Sequence, residues 1–378
     1  MKKAIAILLS MVMALSATAC GGNGTTASSA GGASAAPAGS GEKSYHFEIV
    51  SKGFQSTYWQ AVYKGSQEEL KKLNSEAGYE KYTMNFVGPD SESDVAVQVQ
   101  EFTSALNAKP SAIGLAALDV DALLDSIKGA QSAKIPIIGF DSGVPNAPEG
   151  SVLANASTDN YAAGKVAADG MYDKIKGRLQ KGKKVRIGEV NQDATSESIT
   201  NRGLGFIDEM IDKLTADGYK VFVTGNQKYV GDSKGSTGTE ANADVILEVR
   251  VPSQTTTELC ATEAGVILNE ADTIAIFGSN QVAAEGIITA NGTLQVCGTG
   301  DDQIIAVGFD SGSVIKGAVK GNTMYGAVTQ APVTIGSVLI DLLASAAAGE
   351  EVKDKDTGCA FYTSANIDNQ EIAQNLYD

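Results

Sequence analysis

Three polar residues each close a short apolar run: Asp141 after PIIGF, Asn280 after TIAIFGS and Asp310 after IIAVGF. Lys52, Phe54, Tyr58 and Trp59 fall together in SKGFQSTYWQAVYKG, Ser142 follows Asp141, Arg202 sits in NRGLGF, and Gln330 in GAVTQAP. Such a set has two chemistries open to it. Two carboxylates on opposite walls of a cleft, Asp141 and Asp310, would serve as the acid and base of a hydrolase. Planar Asp, Asn, Gln and Arg groups with paired donors and acceptors, helped by aromatic faces, would instead hold a neutral polyhydroxyl molecule unchanged. Other chemistries are poorly served. The chain has a single His, His46, near the start of its folded part, which argues against a Ser–His or Cys–His pair and against a multi-His zinc site. Four cysteines with no C-x-x-C argue against a zinc knuckle or a disulfide scaffold, and Cys260 and Cys297 are expected to stay unpaired. No phosphate-cradling G-x-x-x-x-G-K-[ST] run occurs.

The elements that must position these residues alternate. Strands are expected at Tyr45–Val50, Tyr82–Val87, Ala112–Ala116 and Pro136–Phe140, with helices at Trp59–Leu73, Asp94–Leu106 and Val120–Ala130 between them. The pattern then restarts, with strands at Lys184–Val190, Tyr219–Val223, Val245–Val251, Thr273–Phe277 and Ile304–Phe309. Helices are expected at Asn160–Met171, Gly203–Leu214, Thr257–Asn269, Gln281–Ala290 and Ile335–Ala347. Asp159 is placed to cap the first of these, and Asp159-Asn160 is read as cap and crossover. Repeated strand–helix order makes a parallel sheet with helices on both faces, and ligands then bind beyond the C-terminal strand ends. Two blocks of similar size make an α/β molecule of two doubly wound parallel-sheet lobes. The polar, Gly-rich stretch 224–244 breaks the rhythm and reads as an inserted loop or hairpin.

The chain has 378 residues, 43% of them hydrophobic, enough for two globular units. Its formal net charge of −16 repels phosphate backbones, so no nucleic-acid partner is expected. Two lysines precede an apolar run from Ala4 to Leu15, shorter than the ~20 residues a membrane-spanning helix needs, so residues 1–19 read as an export signal. Ala17-Thr18-Ala19-Cys20 resembles a bacterial lipobox, which implies a lipid on Cys20 and a tether to the membrane. Residues 20–43, nearly all Gly, Ser, Thr and Ala at first, read as a flexible linker with a reach of roughly 25 Å.

Seven motifs in order carry a resemblance: SKGFQSTYWQAVYKG, PIIGFDSGV, STDNYAAGKVAAD, NRGLGF, IFGSNQVAAEG, AVGFDSG and GAVTQAPVTIG. Together they resemble the ribose/galactose-type periplasmic sugar-binding proteins, the receptors of ABC sugar importers, from about Tyr45 to Asp378. The resemblance implies lobes of 44–154 plus 331–356 and of 155–330 plus 357–378, joined by a multi-strand hinge. It implies a monosaccharide captured between them, delivery to ABC permease subunits, an extracytoplasmic, lipid-anchored location, a monomer, no cofactor and no catalysis. A receptor feeding a chemosensor or sensor kinase, and a lipid-anchored glycosidase, remain as alternatives. A repressor of related fold is disfavoured, because an export leader and linker occupy the place of a DNA-binding domain.

Residue by residue, the resemblance implies that Tyr58 and Trp59 face the sugar and that Asp141, Arg202, Asn280, Asp310 and Gln330 hydrogen-bond it. Thr200 is a neighbouring candidate for the place given to Arg202. Lys52, Phe54 and Ser142 share the same loops. The ribose-type pattern has Arg after its Asp; Ser142 stands there instead, which points to a different or larger sugar.

Overall fold

A computed structural model describes residues 42–378. The leader, Cys20 and all but the last two residues of the linker lie outside the described residues. In the first lobe, β1 (Tyr45–Val50), α1 (Thr57–Ala77), β2 (Tyr82–Val87), α2 (Val95–Asn107), β3 (Ala112–Leu115), α3 (Val120–Ser132), β4 (Ile137–Phe140) and β5 (Val152–Ser157) follow in sequence. The second lobe runs through α4 (Asn160–Ile175), β6 (Val185–Val190), α5 (Glu197–Ala216), β7 (Val221–Gly225), α6 (Gln227–Asp232) and β8 (Val245–Arg250). It continues with α7 (Thr257–Leu268), β9 (Thr273–Gly278), α8 (Gln281–Leu294), β10 (Ile305–Phe309), α9 (Ser313–Lys320) and β11 (Gly326–Gln330). The chain then returns to the first lobe for α10 (Pro332–Ala348) and β12 (Lys355–Asp356), enters the second again for β13 (Cys359–Thr363), and closes with the short α11 (Gln370–Ala373).

The sheets are ordered β12-β5-β4-β3-β1-β2 and β13-β11-β10-β9-β6-β8-β7, every pairing parallel except β13 on β11. The inner strands β1, β3, β4, β9 and β10 are buried on both faces, as coverage by helices on both sides requires. In the first lobe Phe47, Ile138 and Phe140 pack with Leu339 and Leu343 of α10 on one face, while Val50, Ile113 and Ile137 meet Phe102 and Leu123 on the other. In the second, Ile187, Phe277 and Val307 face α4 and α5, while Ile276 and Ala306 face α7 and α8. Cys260 and Cys297 lie in this last layer as free thiols, and burial pushes both up to about 12.

Four expectations need correction. β5 (VLANAS) is a strand the sequence reading lacked; small residues and a half-buried pattern hide its period. Because β5 belongs to the first sheet through Ser157, the chain crosses to the second lobe after 157, where the sequence reading placed the crossing after 154. The 224–244 stretch links the parallel neighbours β7 and β8, so it is no hairpin; the six-residue α6 opens it, and 233–244 is the irregular loop expected. The stretch is anchored by Tyr229, fully buried, whose hydroxyl donates to the Asp193 carbonyl at 2.8 Å. Finally, α5 starts at Glu197, so Thr200 and Arg202 lie within the helix and do not precede it.

Two close approaches fix the helix that carries Arg202. A Cβ on Gly164 of α4 would come within 2.0 Å of the Arg202 carbonyl oxygen, and one on Gly205 of α5 within 2.1 Å of the Tyr161 carbonyl oxygen. The two backbones therefore touch, which only glycine permits.

Candidate functional site

Asp141 follows β4 and Asp310 follows β10, and both adopt left-handed backbone, with φ of 56° and 71°. For a residue with a Cβ this costs about 1–2 kcal/mol, least for Asp and Asn. Strain of this kind gathers where a side chain must be aimed. Here both carboxylates are aimed into the cleft between the lobes.

On the first-lobe wall, Lys52 Nζ lies 3.0 Å from Asp141 Oδ2, and the Tyr58 hydroxyl donates to Asp141 Oδ1 at 2.5 Å. Tyr58 and Trp59 open α1 under the Ser56 cap and meet edge to face at 5.1 Å. Trp59 Nε1 donates to Glu92 at 2.7 Å. All of Lys52, Tyr58, Trp59 and Asp141 are buried. Burial pulls the Lys52 ammonium down, yet Asp141, Glu92 and Asp193 outweigh it and hold its pKa above the ordinary value. Burial, with Asp141 beside it, pushes the Tyr58 phenol well up.

On the second-lobe wall Arg202 is 2% exposed, with two guanidinium nitrogens bonded within the protein and Nε buried without a partner among the described residues. It donates to the Ser279 carbonyl and to Asn160 Oδ1, each at 2.7 Å, and its guanidinium lies 3.7 Å from the centre of the Phe309 ring. Asn160 is thus a buttress for Arg202, while Asp159 caps α4 by accepting from Ala162 N at 3.0 Å. Asn280 caps α8 through Ala283 N at 3.1 Å, and its amide donates to Gln192. Asp310 accepts from Gln330 Nε2 at 2.7 Å and from Gln281 N at 3.1 Å, with Arg202 at 3.9 Å. It caps α8's start from outside the helix, and Gly312, not Asp310, is the N-cap of α9. Burial raises the Asp310 carboxyl, against the pull of Arg202 and Gln330.

Lys52, Tyr58, Trp59, Asp141, Arg202, Asn280, Asp310 and Gln330 therefore line one cavity, joined by Ser56, Glu92, Gln192, Ile199, Gln281 and Val282. Two expected residues are not there. Phe54 packs on Tyr63 and Phe86 and faces a neighbouring outer cleft. Ser142 lies past the strand end with its hydroxyl turned to the backbone N–H of Ser198, from which it accepts at 3.2 Å. Thr200 also faces elsewhere, into a different groove. Sequence reasoning missed Glu92 and Gln192 because they sit on loops after β2 and β6, where no period marks them; a polar residue just past an apolar strand was the available signal.

The lobes are shut. Lys52 donates to Ser198 Oγ at 3.0 Å, Gln192 Nε2 to Glu92 Oε2 at 2.8 Å, and Gly143 N to Glu197 at 2.7 Å, all from one lobe to the other. The cavity between them measures about 30 Å³, room for a few waters at most. A larger guest must open the lobes and take over contacts that these side chains now make with one another.

Glu189 of β6 lies beneath this wall, buried, with only the Asn191 amide donating to it, at 2.8 Å. Burial pushes its carboxyl well above the ordinary value, opposed by Asn191 and aided by Asp208. The folded chain thus keeps a proton that the unfolded chain releases above about pH 4.3. Stability falls as pH rises through that window, since the unfolded state binds fewer protons there. Glu189→Gln should unfold several degrees above wild type at pH 8, with the gap closing toward pH 4.5. Melting curves across that range check it; a gap independent of pH would refute it.

A family model described as a periplasmic binding protein domain matches residues 47–351. The chain belongs to that family. This periplasmic binding protein is 24% identical over 307 residues to the ribose import binding protein RbsB of Escherichia coli (strain K12), covering 81% of this chain and 86% of that protein. It is 22% identical over 354 residues to RbsB of Bacillus subtilis (strain 168), covering 93% and 96%. A solved ABC transporter solute binding protein from Agrobacterium vitis with bound D-fucose matches with TM-score 0.70 and 28% identity, over 88% of this chain and all of that one. An ABC transporter, LacI family transcriptional regulator from Brachyspira murdochii matches with TM-score 0.70 and 30% identity, over 89% and 99%. The two-lobed architecture of parallel sheets is that of the type 1 periplasmic binding proteins. Among the described residues no helix is long and apolar enough to cross a membrane.

Proposed function

We propose that this periplasmic binding protein is the sugar receptor of an ABC importer, working outside the cytoplasm as a lipid-anchored monomer tethered through Cys20. One observation carries the reading: polar and aromatic side chains from two separate sheets converge on a single buried cavity. Its relatives named above are a ribose import protein and a solute-binding protein holding D-fucose, and their chemistry suits this lining.

In the open state the first-lobe wall offers Tyr58, Trp59 and the Lys52–Asp141 pair, and the second offers Gln192, Arg202, Asn280, Asp310 and Gln330. Ring hydroxyls would accept from Lys52 and Arg202 and donate to Asp141 and Asp310, while Trp59 covers a C–H face. Only the closed state engages both walls at once, so the guest favours closure by its differential contacts. Delivery to the permease then couples that closure to transport, with ATP spent on a separate subunit. Asp141 is tied to Lys52 and Tyr58, and Asp310 to Gln330 and Gln281; both carboxylates are fixed in place with lone pairs left for ring hydroxyls.

Thermal-shift screening and calorimetry against pentoses, hexoses and polyols test this. At least one sugar should raise the unfolding midpoint and bind near micromolar, about −8 kcal/mol, and be recovered chemically unchanged. Consumption of the sugar, or silence across the panel, would overturn the reading.

A further inference from the structure

The inner cavity does not end at Trp59. Ser56, Trp59, Glu92, Gln281 and Val282 line it from one side and, from the other, line an outer cleft of about 400 Å³ open to solvent. That volume lies in the range small-ligand pockets occupy, about 300–1,000 Å³. The cleft is not a gap left by parted lobes. The lobes are latched directly around it: Thr255 N donates to Ser93 Oγ at 2.8 Å, Gln281 Nε2 to Thr57 Oγ1 at 3.1 Å, and Gln192 to Glu92. The space therefore survives closure and adjoins the site, sharing five wall residues with it.

Its walls have a definite chemistry. Phe54 gives aromatic surface on the first-lobe side, where Trp59 also lines the cleft though only 1% exposed, facing Thr257 and Val282 on the second. Asp90, Glu92 and Glu285 line it as well, and no Lys or Arg does. Aromatic surface beside hydroxyls suits a second sugar ring, whereas three carboxylates without a cation repel a phosphate or uronate.

We propose that the guest of this protein is a neutral disaccharide, one ring held in the inner cavity and the second in the outer cleft against Phe54 and Trp59. This rests on the sugar-receptor reading and names its ligand class. As the guest parts the lobes, the ring site expands toward the cleft past the wall residues the two share, among them Glu92 and Gln281.

Calorimetry on the mature chain with D-glucose, D-galactose, maltose, cellobiose, lactose, melibiose and glucose 6-phosphate tests it. At least one disaccharide should bind tenfold or more tighter than either of its constituent monosaccharides, and the sugar phosphate more weakly than glucose. Thr257→Trp, which plugs the cleft without touching the inner cavity, should abolish that tenfold gain while monosaccharide affinity stays within twofold. If that variant fails to fold, Gln55→Trp on the opposite, exposed wall serves the same purpose. Monosaccharides binding as tightly as every disaccharide, or a plug that leaves the gain intact, would overturn the cleft's role and leave the receptor reading standing. Binding of no carbohydrate in this set or the wider panel would overturn both.

Discussion

Asp310→Asn should weaken sugar binding about 100-fold, or ~2.7 kcal/mol, and erase most of the ligand-induced rise in unfolding temperature. Asp310 presents its two oxygens to donors only: Gln330 Nε2, Gln281 N and, at 3.9 Å, the Arg202 guanidinium. An amide replaces one acceptor with a donor and so opposes a neighbouring N–H, and charged hydrogen bonds lost to a ligand cost about 1.5–3 kcal/mol each. Asparagine is the informative substitution because it tolerates the left-handed backbone at this position, whereas alanine would add strain unrelated to binding. Calorimetric titration with the best sugar from the panel measures the loss. A variant that binds within threefold of wild type would remove Asp310 from the site.

Lys52→Met should destabilise the chain by about 3–5 kcal/mol, the cost of stranding one member of a buried ion pair. Asp141 would keep only the Tyr58 hydroxyl, in a position with 3% exposure. The double variant Lys52→Met/Asp141→Asn should recover most of the loss, because the pair as a whole contributes little beyond its own desolvation. Urea unfolding midpoints of the three proteins decide it. If the double variant is less stable than Lys52→Met alone, the two groups are not a pair in the sense their 3.0 Å separation implies. Sugar binding should fall in both variants, since Lys52 also reaches Ser198 on the far wall.

The strand ends were legible in the sequence because an apolar run closed by one polar residue is what a buried parallel strand must look like. Asp141, Asn280 and Asp310 were found that way, Gln330 through its GAVTQAP motif, and all four line one cavity. Arg202 was found too, but its place inside α5 was not, because Glu197–Asn201 offers only Ile199 as an apolar residue and so shows no helical stripe. Phe54 and Ser142 were misplaced for an opposite reason. They lie beside true cavity residues in the chain, and adjacency in a loop says nothing about direction. The Lys52–Asp141 contact joins residues 89 apart in sequence, so no local pattern could announce it. Strand β5 and helix α6 escaped notice because small or polar residues blur their periods, and tertiary packing, through Ala154, Ala156 and Tyr229, supplies what composition withholds.

Helix α10 fills one face of the first sheet with Ile335, Leu339, Ile340 and Leu343, although it is made only after every strand of the second sheet up to β11. The half of the molecule that is synthesised first is therefore the half that cannot complete its interior until synthesis is nearly over. A nascent chain of some 160 residues has its strands but lacks the lid for them, and its exposed apolar face must be kept from sticking to others until residue 348 arrives. Neither half is a free-standing fragment, and a cut at the first or second of the three crossings would part α10 from the sheet it covers.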